Sequence, residues 1–258
     1  MVFAILFLGV CAGIMSGMFG IGGGIIMVPA LIAFFGMDIL NANATSLAAM
    51  LLPVGLLGVF AYHKAGLIQV RDALWISLGL LAGSFFGAEL AVTLNVKILS
   101  KLYAAILLYV AIGYMDIPKM LAKKQTSTEN TPKSEAVHYY FWQFILLGLA
   151  AGVFAGMFGK GGGLVIVPML IKFFKYDAKA ASATSLAALQ LPVGLPSVIV
   201  YAQAGYLNWA NAALIALGIV FGVFFGTKLV LKLNSNTFKK IYAVFLLGVA
   251  VYMLLKYV

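Results

Sequence analysis

The stretch that most constrains this chain is Met18-Phe19-Gly20-Ile21-Gly22-Gly23-Gly24, which returns as Met157-Phe158-Gly159-Lys160-Gly161-Gly162-Gly163. Each copy stands between strongly apolar segments. Consecutive glycines lose the Cβ barrier to unusual dihedrals and leave backbone N–H groups bare, so each copy predicts a helix break whose amides face a ligand. With 64% hydrophobic and only 9% charged residues, the solvent around those breaks is lipid. The chain therefore reads as an all-α polytopic membrane protein.

The duplication covers nearly everything. At a constant offset of 139, Pro29 meets Pro168, Asp38 meets Asp177, Tyr62 meets Tyr201 and Asn95 meets Asn234. Ala44-Thr45-Ser46-Leu47-Ala48-Ala49 likewise meets Ala183-Thr184-Ser185-Leu186-Ala187-Ala188, and Pro53-Val54-Gly55-Leu56 meets Pro192-Val193-Gly194-Leu195. Residues 1–115 form a first membrane repeat and 138–258 a second, joined by a polar run at 116–137 with the composition of a surface linker. Together they make one transporter-sized domain. Val2 to Met18 has the apolar character of a signal-peptide core, but no Lys or Arg precedes it and it recurs as Phe141 to Met157, so it is kept as part of the fold.

Each half parses into a broken pair and three plain spans. The first half reads Val2 to Met18, the break, Ile25 to Phe35, Ala44 to Tyr62, Ala73 to Leu94 and Ile98 to Met115. The second reads Phe141 to Met157, Leu164 to Phe174, Ala183 to Tyr201, Ala212 to Leu233 and Phe238 to Leu255. Ile25 to Phe35 reaches only about 16 Å at 1.5 Å per residue, half the hydrocarbon core, which predicts the returning arm of a re-entrant hairpin. Charge supports that reading. If each broken pair enters and leaves on one side, the halves are inverted, and thirteen Lys and Arg fall on one face against Lys97, Lys101 and Lys256 on the other, with Lys160 set aside. The positive-inside rule then puts both termini outside and the linker in the cytoplasm. Two inverted repeats, each a Gly-broken re-entrant hairpin followed by three transmembrane helices, are a common architecture of alternating-access transporters.

The paired Gly-Met-Phe-Gly-x-Gly-Gly-Gly motifs, each followed by Val-Pro and then by Ala-Thr-Ser-Leu-Ala-Ala, resemble the sulfite exporter TauE/SafE family, also called toluene sulfonate uptake permeases. The match covers both halves. That resemblance implies a secondary transporter of sulfur-containing or related organic anions, sulfite and sulfonates among them, in a prokaryotic plasma membrane. It fixes neither the substrate nor the direction.

The residues lean independently toward an anion. The returning arms begin near mid-membrane, so their N-termini would present unsatisfied N–H groups and about half a positive charge each. A pocket between two such breaks would be lined by Gly22, Gly23, Gly24, Gly161, Gly162 and Gly163. Lys160 replaces Ile21 of the first copy and, at membrane depth, calls for a counter-ion; the acids of this chain fall in loops or at span ends, so a bound anion fills that role, with snorkelling into a vestibule as the alternative. Thr45, Ser46, Thr184 and Ser185 are read as opening the spans after the hairpins, either capping helices or touching substrate, with Asn43 and Ser182 just before them. Gln190 is a lone amide where Leu51 stands in the other half, facing substrate or a neighbouring helix. Pro53 with Gly55, and Pro192 with Gly194, predict kinks that would serve as hinges.

Other features read as structure. Gly79, Gly83 and Gly87, repeated as Gly218, Gly222 and Gly226, form small-residue stripes for close helix packing, within the protomer or in a homodimer. Cys11 is a small packing residue and cannot form an internal disulfide. His63 and His138 have no metal-ligand company in the sequence, and no metal, cofactor or catalytic set is expected. Gly159-Lys160 lacks the rest of a phosphate-binding loop, and no HExxH or GxSxG motif occurs, so the chain is not expected to be an enzyme. The net charge of +10 borders apolar segments rather than forming a nucleic-acid-binding arm. The expected partners are a small anion, the bilayer and a coupling ion, Na⁺ or H⁺. A passive anion channel or a non-transporting membrane partner subunit stand as alternatives.

Overall fold

The structure is a computed structural model that describes residues 2–20, 22–51, 53, 55–99, 101–102, 105, 139–159, 162–233, 237 and 248. Every element with defined bounds among the described residues is a helix. The first half holds α1 (Val2–Phe19), α2 (Gly24–Phe35), α3 (Ile39–Ala49), α4 (Leu56–Lys64) and α5 (Val70–Thr93). The second holds α6 (Phe141–Phe158), α7 (Gly163–Lys172), α8 (Ala178–Ala188), α9 (Leu195–Gln203) and α10 (Trp209–Lys232). All five N-terminal boundaries repeat at the 139-residue offset, so the duplication in sequence is a duplication of elements. The polar linker lies outside the described residues, as does most of the third plain span expected in each half.

Four helices, α1, α5, α6 and α10, are long and apolar enough to cross a membrane. Half of each apolar window is buried inside the protein, and the outer faces carry a lipid-facing surface of large side chains such as Phe3, Phe7, Phe86, Phe221 and Phe225. The inner faces carry glycine. Along α1, Gly9, Gly13 and Gly17 meet the backbone of Ile215, Ile219 and Val223 of α10, while Gly218, Gly222 and Gly226 of α10 meet Leu6, Val10 and Ile14. The second pair repeats this contact, with Gly79, Gly83 and Gly87 of α5 against Ile145, Leu149 and Val153 of α6, and Gly148, Gly152 and Gly156 answering from α6. Residue numbers rise together along both seams, so each pair is parallel. A Cβ at any of these twelve positions would lie 2.0 to 2.6 Å from a main-chain oxygen of the partner, so only glycine permits the approach. The stripes predicted on α5 and α10 therefore work within one chain, and each joins a helix of one half to a helix of the other.

Where Ala44 to Tyr62 and Ala183 to Tyr201 were expected to be continuous spans, each is two short helices. α3 ends at Ala49 and α4 begins at Leu56; α8 ends at Ala188 and α9 begins at Leu195. Pro53 and Pro192 remove a helical N–H and clash with the preceding turn, and with glycine two residues on, the chain leaves the helix rather than bending within it. The expected kink is thus a second break in each half. These helices also start earlier than the hydroxyl residues. Asp38 caps α3 by accepting from the N–H of Asn41 at 2.8 Å, and Asp177 caps α8 by accepting from that of Lys179 at 2.9 Å. Beyond the spans, Tyr176 donates to Asp72 in the first turn of α5, and burial followed by this bond pushes the phenol well above its ordinary pKa.

Candidate functional site

The first glycine break is a tight reversal. Gly22 and Gly23 adopt φ of 77° and 72°, in the left-handed region that glycine alone enters without strain, and α2 starts immediately afterwards. No side chain caps its N-terminus at Gly23, and α7 likewise begins at Gly162 without a side-chain cap. The N–H groups of Gly24 and Ile26 bond back to the carbonyls of Gly22 and Gly23, and that of Val165 to Gly162, so what both arms present at their breaks is chiefly the positive end of the helix dipole. Lys160 and Gly161 lie outside the described residues; Gly24, Gly162 and Gly163 are buried at the two breaks.

Each break is held by the other half. Gly20 sits so close to α8 that a Cβ there would lie 2.1 Å from the carbonyl oxygen of Ser182, and Gly159 so close to α3 that a Cβ would lie 2.4 Å from Cα of Asn43. Ser182 donates to the Phe19 carbonyl at 2.9 Å and Ser185 to the Gly20 carbonyl at 2.7 Å. In the mirror arrangement Asn43 donates to the Met157 carbonyl at 2.8 Å. Thr184 accepts from the N–H of Gln69 at 3.2 Å, whereas Oγ1 of Thr45, Oγ of Ser46 and Oδ1 of Asn43 are buried without a partner. The hydroxyl residues, expected at helix openings, instead lie fully buried inside α3 and α8, where those of Ser182 and Ser185 bond the opposite break and that of Thr184 a neighbouring loop.

A tyrosine secures each long arm beside its break. Tyr62 donates to the Gly17 carbonyl at 2.7 Å and Tyr201 to the Gly156 carbonyl at 2.9 Å, both rings fully buried. Tyr62→Phe and Tyr201→Phe are each expected to destabilise the fold by about 1 kcal/mol, the usual net value of such a bond. Thermal melts in detergent would check this, and unchanged melting would show that these bonds do not hold the breaks.

The second breaks, at Met50–Gly55 and Leu189–Gly194, border two small cavities, one of which also reaches Gly22 of the first glycine break. One is lined by Ser16, Gly22, Met50, Gly55, Leu186, Leu189 and Gln190. The other is lined by Leu47, Met50, Leu80, Ser84, Ala155, Leu189, Val193 and Gly194. Met50 and Leu189 occupy the same repeat position and line both cavities, so they form the partition between them. Gln190 uses its whole amide here: Oε1 accepts from the N–H of Gly55 at 2.9 Å, and Nε2 donates to the Leu186 carbonyl at 2.9 Å. It thus ties α8 to the break of the other half. A Cβ on Gly55 would lie 2.5 Å from that amide, which makes Gly55 part of the junction. Ser16, buried at the rim of the first cavity, was not among the residues the sequence singled out; its position one turn before Gly20 on the inner face of α1 was the available signal.

Four apolar helices long enough to cross a bilayer, together with paired broken helices meeting inside the protein, define a multi-pass membrane protein with its polar backbone gathered at an internal site. The sulfite exporter TauE/SafE family model matches residues 5–253, and the chain belongs to that family of membrane transporters. Its relatives include the probable membrane transporter protein MJ0441 of Methanocaldococcus jannaschii, 30% identical over 90% of this chain and 86% of that protein. The probable membrane transporter protein YunE of Bacillus subtilis is 26% identical over 89% of this chain and 87% of its own length. A probable membrane transporter protein of Haemophilus influenzae is 29% identical over 97% of both chains. No solved structure matches the chain.

Proposed function

We propose that the chain is a secondary transporter that moves a small sulfur-containing or related organic anion across a prokaryotic plasma membrane by alternating access. The observation that carries this reading is the pair of uncapped helix N-termini at Gly23 and Gly162, each facing a break that the opposite half holds in place. Buried N-terminal amides favour an anion, and they discriminate against cations through the dipole. Lys160, in the second break of the sequence, adds a full positive charge that a sulfonate, sulfite or carboxylate would balance. The uneven distribution of Lys and Arg supports inversion of the halves, with both termini outside. The proline–glycine breaks at Pro53, Gly55, Pro192 and Gly194 then act as the pivots of the exchange.

The test is thermal stabilisation of the purified protein by sulfite, thiosulfate, taurine, sulfoacetate, other sulfonates and simple carboxylates. A ligand present at a hundred times its Kd adds about 2.7 kcal/mol, a visible shift. One responding anion would name the substrate class. No response across the panel would remove the anion site.

A further inference from the structure

We infer that the anion is held in the cavity beside the first glycine break, with the hydroxyl of Ser16 as the donor that recognises it. The inference rests on the transport reading above and uses no residue of the glycine break at 159–163. The repeat makes the two cavities counterparts: Gly55 and Leu186 of the first stand 139 residues from Gly194 and Leu47 of the second, and Met50 and Leu189 line both. Their polar linings differ. Where the first cavity has Ser16, the second has Ala155. Ser84 supplies the hydroxyl of the second cavity, and it is spent on the Val193 carbonyl at 2.7 Å.

Ser16 is 3% exposed, and among the described residues its hydroxyl makes no hydrogen bond, whereas those of Ser77, Ser84, Ser182, Ser185 and Ser197 each bond a carbonyl. A buried hydroxyl in that state costs free energy unless a ligand or water takes it up. The field around it favours a negative ligand. The C-terminus of α1 would give the break a negative character, but the carbonyls of Gly17, Phe19 and Gly20 each accept a hydroxyl, from Tyr62, Ser182 and Ser185. Across the turn, α2 begins without a side-chain cap, and Gly22 on the cavity wall leads into its positive end. Gln190, bonded at both ends of its amide, fixes another part of the wall, and no carboxylate is among the lining residues. Met50, Leu186 and Leu189 close the remainder with apolar side chains, so this small space takes a compact oxyanion group, to which Ser16 donates a charge-assisted hydrogen bond.

The test follows melting of the purified protein while sulfite, sulfoacetate or acetate is titrated at constant ionic strength. Ser16→Ala removes a hydroxyl that bonds nothing in the protein and installs the residue of the other repeat, so it is expected to melt with the wild type when no probe is present. It should need at least tenfold more of the stabilising anion to reach half of the full shift, as expected for the loss of one hydrogen bond to a charged group. Ser16→Cys, close in size but a weak donor, should show the same loss. Ala155→Ser, which puts a hydroxyl in the second cavity, should leave the wild-type response as it is and fail to restore it in Ser16→Ala. An unchanged half-point in Ser16→Ala and Ser16→Cys overturns the inference while the wild-type shift keeps the anion reading standing. Rescue by Ala155→Ser overturns it as well, since the two cavities would then be equivalent, and so does lower melting of both Ser16 variants without probe, which would mean that the hydroxyl is spent inside the fold. No shift of the wild type with any probe removes the anion reading and this inference with it.

Discussion

Gly226→Val is expected to yield no folded protein. Its Cβ would lie 2.0 Å from the carbonyl oxygen of Ile14 and 2.8 to 2.9 Å from the carbonyl carbon and Cα of that residue, all main-chain atoms of a continuous helix. A crowded side chain can change rotamer, and such overpacking costs about 1–3 kcal/mol. Backbone cannot yield that way. α1 and α10 would have to separate, and the contacts of Gly218 and Gly222 along the same seam would be lost together, so the cost exceeds about 3 kcal/mol. The control is Phe225→Ala, one residue away on a side chain 60% exposed to the surroundings, which should leave folding intact. Monodisperse yield on size exclusion after detergent extraction reads both. Normal yield of Gly226→Val would mean the two helices are not seated as described.

Lys160→Ala should weaken anion binding by about 3 kcal/mol, roughly a hundredfold in Kd, while the protein still folds. A charged group recruited to a buried anion contributes far more than an exposed one, and removing it leaves the anion with neutral amides alone. Isothermal titration with the anion picked out by the melting panel, together with flux into vesicles at limiting and saturating substrate, gives the answer. Equal affinity and equal flux in mutant and wild type would remove Lys160 from the site and leave the helix N-termini as the sole anion-attracting feature.

The sequence made the architecture readable where hydropathy and repetition act alone. Gly-rich runs between apolar segments located the first breaks to within one residue on either side, and the long helices α1, α5, α6 and α10 fell within a few residues of their expected bounds. The breaks after Ala49 and Ala188 were read too mildly, because the apolar composition runs unbroken through Pro53 and Pro192 and hydropathy does not register a lost hydrogen bond. The start of α3 and α8 was missed for a related reason: Asp38 and Asp177 are single polar residues whose capping role depends on geometry rather than on periodicity. Pairing was beyond reach. Nothing in Gly9, Gly13 and Gly17 says that their partner lies some two hundred residues away, and Ser16 became a cavity residue only once Gln190 and Gly55 arrived from elsewhere in the chain. The inequality between Ser46 and Ser185 is of the same kind, since the two serines are identical in local sequence and differ only in what faces them.

The seam between α1 and α10 has a consequence for how the molecule is made. α5 precedes α6 with only residues 94–140 between them, and the two are able to meet as soon as the second half begins to enter the membrane. α1 precedes α10 by most of the described chain, so its glycine face waits until α10 has been synthesised. For most of translation that face is open to lipid or to any passing helix with small residues. The native molecule is closed by the joining of an early helix to a late one, and a chain truncated before Trp209 would be left with the glycine face of α1 unclaimed.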